Sequence, residues 1–206
     1  MRKFESGSLD VAVEVVTTTF VASGRPTGVH DLARFVENLN NQALFRQFEI
    51  EDPVVRPLYR AGHQVALGAP LLVRRDDVVF ANFEGPYFSR GDEGPVRVET
   101  PSLLLVPPFQ IAGSVGLPAG ADPTQAMRGL MQAFFIVRDA VVYDADGNTL
   151  GEGRQIIVNG HAVQMASATA RHIDAVTVRA ASASPAAEEP AEGEMLANPE
   201  PEARAA

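Results

Sequence analysis

Apolar and polar positions alternate along much of this chain with the two-residue period of a half-buried strand. Val11, Val13 and Val15 alternate with Ala12, Glu14 and Val16, a turn follows at Thr18-Thr19, and a second strand runs through Phe20-Val21-Ala22-Ser23-Gly24. The period then changes. Leu32, Phe35, Val36 and Leu39 fall at i, i+3, i+4 and i+7, which predicts a short helix packing one face on a sheet. Beyond it, Phe48 to Leu58, Val65 to Val73 and Val78 to Phe83 read as a strand meander.

The same order then returns. A strand from Val96 to Val106, a Pro107-Pro108 turn and a strand through Phe109-Gln110-Ile111-Ala112-Gly113 precede a second helical stripe, Met127, Leu130, Met131 and Phe134. Asp122-Pro123 marks its start, an N-cap acceptor followed by proline at the first helical position. Phe135 to Tyr143, Arg154 to Val158 and Val163 to Ser167 form the second meander, with a further strand expected over Ile173 to Arg179. Asp146-Gly147 and Asn159-Gly160 predict hairpin turns, since Gly, Asn and Asp reach positive φ at low cost, and Arg75-Asp76-Asp77 takes the place of the latter in the first meander.

Three pairs anchor the correspondence: Gly24 with Gly113, Phe48 with Phe135, and Asp52 with Asp139. Each glycine follows a phenylalanine at the same spacing, and both aspartates lie in Phe-x-x-x-Asp-x-Val-Val. A glycine inside a strand marks a bulge or a close backbone approach, so its repetition points to a geometric demand. The period is too long for a solenoid and predicts a duplicated domain. The expected fold is mainly β with one short helix per copy (α+β), as two pseudo-symmetric small curved sheets or open barrels. The expected division is a first copy over 9–85, a linker over 86–94, a second copy with an extra C-terminal strand over 95–179, and a disordered tail over 180–206.

Phe-x-x-x-Gly, Leu117-Pro118-Ala119-Gly120 before a short helix, Phe-x-x-x-Asp-Ala-Val-Val, and a strand ending Ile156-Ile157-Val158-Asn159 together resemble an uncharacterised family of small bacterial domains. The likeness covers roughly residues 10–168 and is best in the second copy. It implies a small β-rich domain and supplies no activity, ligand or catalytic residue.

Composition sharpens the picture at the ends. The tail after Ala180 is almost wholly Ala, Pro, Glu and Ser, and its only sizeable apolar side chains are Met195 and Leu196, so it is expected to be disordered. Glu188, Glu189, Glu192, Glu194, Glu200 and Glu202 face Arg204 alone there, so more than half of the net charge of −9 belongs to the tail. An acidic balance disfavours nucleic acid, though the body's remaining charge of −4 turns that exclusion into a preference. With no apolar run of membrane length and no h-region behind Met1, the expected location is the cytoplasm, away from membranes. Zero cysteine removes disulfides and thiolate chemistry.

Motifs for chemistry are sparse. Asp144-Ala145-Asp146-Gly147-Asn148 opens like a calcium loop but has its glycine too early, so it reads as a turn. His30, His63, His161 and His172 hold no ligand spacing, no Gly-x-Ser-x-Gly elbow occurs, and Gly151-Glu152-Gly153 lacks the rest of a phosphate loop. Asp52 and Asp139 invite a paired-carboxylate reading, but strand chemistry around them favours a bulge or turn. No catalytic residue, metal or cofactor is assigned. Tyr87 and Phe88 in the linker, with Arg74 and Arg75, are the binding candidates, although Asp76-Asp77 beside the arginines suggests a solvated face. The expected function is a non-catalytic binding or assembly module with a protein partner or self-association. The alternatives are a small-ligand sensor with a pocket between the copies and, further off, an RNA-binding small barrel or an enzyme with a dispersed site.

Overall fold

A computed structural model describes residues 11–43, 45–59, 62–86 and 96–168. The predicted strand over Ile173–Arg179, the tail, His172, Tyr87 and Phe88 lie outside the described residues. The first half contains β1 (Ala12–Thr17), β2 (Phe20–Pro26), α1 (Leu32–Asn40), β3 (Gln47–Pro57), β4 (Val65–Ala66), β5 (Leu71–Arg74) and β6 (Val78–Glu84). The second contains β7 (Arg97–Val106), β8 (Phe109–Pro118), α2 (Pro123–Leu130), β9 (Phe134–Tyr143), β10 (Thr149–Asn159) and β11 (Met165–Ala168). The described residues are thus mainly β with two short helices.

The helices form where the sequence signals them. Asp31 and Asp122 accept from the backbone N–H groups of Arg34 and Gln125, satisfying donors that a helix start leaves open. Leu32, Phe35 and Leu39 of α1 are buried, as is Met127 of α2. Phe134, placed by its spacing on the second helical stripe, instead opens β9. The helical period persisted in the sequence past the last turn because a buried strand end also wants an apolar residue.

All eleven strands of the described residues belong to one large sheet, where the sequence pattern predicts two small curved sheets or open barrels. Its order is β11-β7-β8-β9-β10-β6-β1-β2-β3-β4, with β5 also on β3, and all its pairings are antiparallel. The halves are joined where β10 pairs with β6: Ile156 opposite Asn82, Ile157 opposite Ala81, Val158 opposite Phe80. The expected strand over Val65–Val73 is two pieces, β4 and β5, both paired to β3 along its length. Gly68, Ala69 and Pro70 lie between them, and proline cannot donate to a ladder.

A second correction concerns Asn159-Gly160. It is no hairpin turn, because β10 and β11 do not pair with each other. One 3-10 turn over Gly160–Ala162 carries the chain from β10 to β11 at the far edge, and another over Arg75–Asp77 carries it from β5 to β6. Asp146-Gly147 does turn a hairpin, between β9 and β10, with Gly147 at φ +83°.

Side chains pack into two cores, and the joint feeds both. Phe80 of β6 lies with Ile156 and Val158 of β10 in the core of the second half, and Val79 joins it where the β1–β6 register shifts. Ala81 and Phe83 lie with Ile157, Phe134 and the α1 side chains in the core of the first. Successive strand residues point to opposite faces, so two central strands supply both cores at once.

Candidate functional site

Both halves carry the same backbone device behind the anchor residues. Asp52 and Asp139 take φ of +48° and +46°, and among the described residues they are the only non-glycine residues at positive φ. The β2–β3 register shifts between Ser23 and Arg25, and the β8–β9 register shifts between Ala112 and Ser114. A bulge of this kind leaves one strand a residue ahead of its partner, and aspartate tolerates the left-handed conformation that the shift requires. At the shift the strands press together. A Cβ on Gly24 would lie 2.5 Å from the Glu51 carbonyl oxygen, and one on Gly113 would lie 2.6 Å from Val137 Cγ1 and 2.8 Å from the Arg138 carbonyl oxygen. Asp52 bonds Arg25 at 2.5 Å on the surface, and its carboxylate is 77% exposed. The anchors Phe48 and Phe135 are buried, one in each core.

Of the two arginine candidates, Arg74 is exposed, with its Nε 3.9 Å from Asp77. Arg75 departs from the expected solvated face: its side chain is 8% exposed, its Nε stands 3.4 Å from Asp76, and that nitrogen has no hydrogen-bond partner among the described residues. Its guanidinium carbon lies 5.6 Å from the centre of the Phe134 ring, a cation–π distance across the two halves. Beside it, Asn40 at the end of α1 closes a two-way bond with Phe134: its Nδ2 donates to the Phe134 carbonyl at 2.9 Å, and its Oδ1 accepts from the Phe134 N–H at 2.7 Å. Asn159, buried, donates from Nδ2 to the Val78 carbonyl at 2.8 Å. Sequence reading missed Asn40 and Asn159 as joint residues, because polar residues at element ends read as caps and turns.

Two concavities follow from this packing. A groove of about 500 Å³ is lined by Gln42, Arg46, Gln47, Arg74, Arg75 and Asp76, at the β5 end of the first half. A smaller one, about 140 Å³, lies over the joint between residues of both halves, including Val21, Phe80, Phe109, Val142 and Ile156, with Glu14 and Arg56 also lining it. The larger groove offers guanidinium and amide donors. The smaller is below the roughly 300 Å³ at which small-molecule sites begin.

The remaining candidates fall apart in space or into structural roles. Asp144 organises its own loop, accepting from the backbone N–H groups of Asp146 and Asn148 and from the Asn148 side chain. The Asn148 side-chain bond, followed by the backbone bonds, holds the Asp144 carboxyl below its ordinary value of 3.8. Among the described residues no three His, Asp or Glu side chains gather as a metal site, and no helix is long and apolar enough to cross a membrane.

The free ends of the sheet stand out instead. Leu72 on β5 is 59% exposed and Met165 on β11 is 64% exposed. Both strands pair on one side only among the described residues. Comparison with known proteins adds no relative: no family model, curated protein or solved structure matches this chain.

Proposed function

We propose that this chain is a non-catalytic binding or assembly module built from two copies of one small β unit, and that it works by strand addition at the ends of its sheet. The duplication is supported by the matched anchors. Gly24 pairs opposite Val13 and Gly113 opposite Ser102, each next to a register shift, and each shift faces an aspartate at positive φ. The family resemblance rests on these same bulge and core positions.

The observation that carries the functional reading is the pair of strands β5 and β11, each carrying an exposed large apolar side chain and half-paired among the described residues, at opposite ends of one unclosed sheet. An unpaired edge presents a row of N–H and C=O groups ready to bond another strand, and soluble proteins ordinarily blunt such edges with charge or proline. Here Pro70 and the exposed Arg74 blunt only the two ends of β5, and Leu72 and Met165 stand on the edges uncharged. Backbone bonds would supply affinity and the alternate side chains specificity.

The test pairs light scattering on the full chain with capture from native lysate, for the wild type and for Leu72→Lys and Met165→Lys. The expected result is a mass above the monomer, or a retained partner, that one or both substitutions remove. A monomer that retains nothing at any concentration overturns the proposal.

A further inference from the structure

We infer that the partner at both edges is a second copy of this chain, with β11 of one molecule pairing antiparallel to β5 of the next, head to tail. This rests on the assembly reading above and names the partner. It comes from following the internal joint through the duplicated registers.

The joint pairs β10 with β6. In the second half Phe135, Ile136 and Val137 face Val158, Ile157 and Ile156. In the first half Phe48, Glu49 and Ile50 face Val73, Leu72 and Leu71. With Phe48 matched to Phe135, β5 is therefore the counterpart of the β10 segment that makes the joint. The other side follows independently. Val15 and Val16 of β1 face Ala81 and Phe80 of β6, while Leu104 and Leu105 of β7 face Ala166 and Met165 of β11. With Gly24 matched to Gly113, β11 is the counterpart of β6. Among the described residues, the duplicated chain thus makes its joint once and leaves both halves of a second joint unused, one at each end.

The burial of matched residues carries the same message. Ile157 is fully buried at 0% exposure and Phe80 at 7%, because the joint places each in the neighbouring core. Their counterparts Leu72 and Met165 keep apolar side chains at 59% and 64% exposure. Phe80 packs edge-on against Phe109 of the other half, 5.1 Å between ring centres. Repeating the joint between molecules sets Leu71 opposite Ser167, Leu72 opposite Ala166, and Val73 opposite Met165. It also brings the second copy up to the arginine groove, since Arg74 is the last residue of β5. Such a contact uses two different surfaces, so it propagates: it closes into a ring if the rotation per molecule allows and otherwise extends as a filament.

The two surfaces make the test specific. Leu72→Lys blocks the β5 end and leaves β11 intact, while Met165→Lys does the reverse. Both sites are exposed, and circular dichroism checks that each variant keeps the native fold. By light scattering, the wild-type chain is expected to form a ring of fixed mass or a concentration-dependent ladder. Each variant alone is expected to be a monomer, and an equal mixture to form a dimer and nothing larger, because only one joint remains. In this cysteine-free chain, Leu72→Cys and Ala166→Cys are expected to join through a short thiol-reactive cross-linker when mixed, and neither with itself. A mixture that stays monomeric, a variant that still assembles alone, or Leu72→Cys coupling to itself overturns head-to-tail pairing. A wild-type chain that is monomeric yet captures another protein through these edges also overturns it, while the binding-module reading survives.

Discussion

Asp52 and Asp139 hold backbone angles that a β-branched residue reaches only with strain. Replacing either by glycine or asparagine is expected to leave stability within about 1 kcal/mol, since the lost Arg25–Asp52 pair is an exposed one. Replacing either by valine is expected to cost about 1–3 kcal/mol. Urea unfolding midpoints check both. Gly24→Ala and Gly113→Ala are expected to destabilise by a similar 1–3 kcal/mol, roughly the cost of overpacking, because the added methyl meets strand backbone that has nowhere to retreat. The bulge reading of these residues was legible in the sequence from residue type and strand context. Arg75 was not legible. Its neighbours Arg74, Asp76 and Asp77 read as a solvated charge cluster, and only the approach of Phe134 from the other half explains its burial.

At the scale of single elements, the β9–β10 loop is held by one carboxylate. Asp144 accepts from the Asn148 side chain and from several backbone N–H groups, which lowers its pKa. A carboxyl with a lowered folded pKa stabilises the fold above its ordinary value of 3.8, and that contribution is lost as pH falls through the lowered value. Asn148→Ala is expected to move the Asp144 pKa upward toward that ordinary value, measured by carboxyl-carbon NMR titration; an unmoved pKa would mean the backbone bonds suffice. The start of α2 was legible because Asp122 followed by Pro123 caps it by a local rule, whereas the cap Asp31 gives α1 emerged only in the structure. The end of α2 and the break between β4 and β5 were harder. A buried residue satisfies helix and strand patterns alike, and the turn at Asn159-Gly160 has local chemistry that suits either a hairpin or a crossover.

For the whole molecule, the sharing of β6 and β10 between two cores predicts that both halves unfold together. Ile157→Ala, at a fully buried joint position, is expected to cost about 2–5 kcal/mol. Hydrogen exchange is expected to show amides of β2 and β8 losing protection together; protection lost in one half alone would mean separable units. Asn40→Ala is expected to cost about 1–3 kcal/mol, because it strips the Phe134 backbone of both bonds at the joint. The amino-acid sequence by itself determined the mainly β character, most of the strands, the two helical stripes, the cap at Asp122 and the turn at Asp146-Gly147. All of these depend on residue type and short spacing. Strand order, the β10–β6 joint and the exposure of Leu72 and Met165 were decided only by tertiary structure. The physical reason is that an apolar strand residue is written the same way whether its neighbour is in the same half, in the other half or in another molecule. Which strand lies beside it depends on long-range pairing that no local pattern encodes.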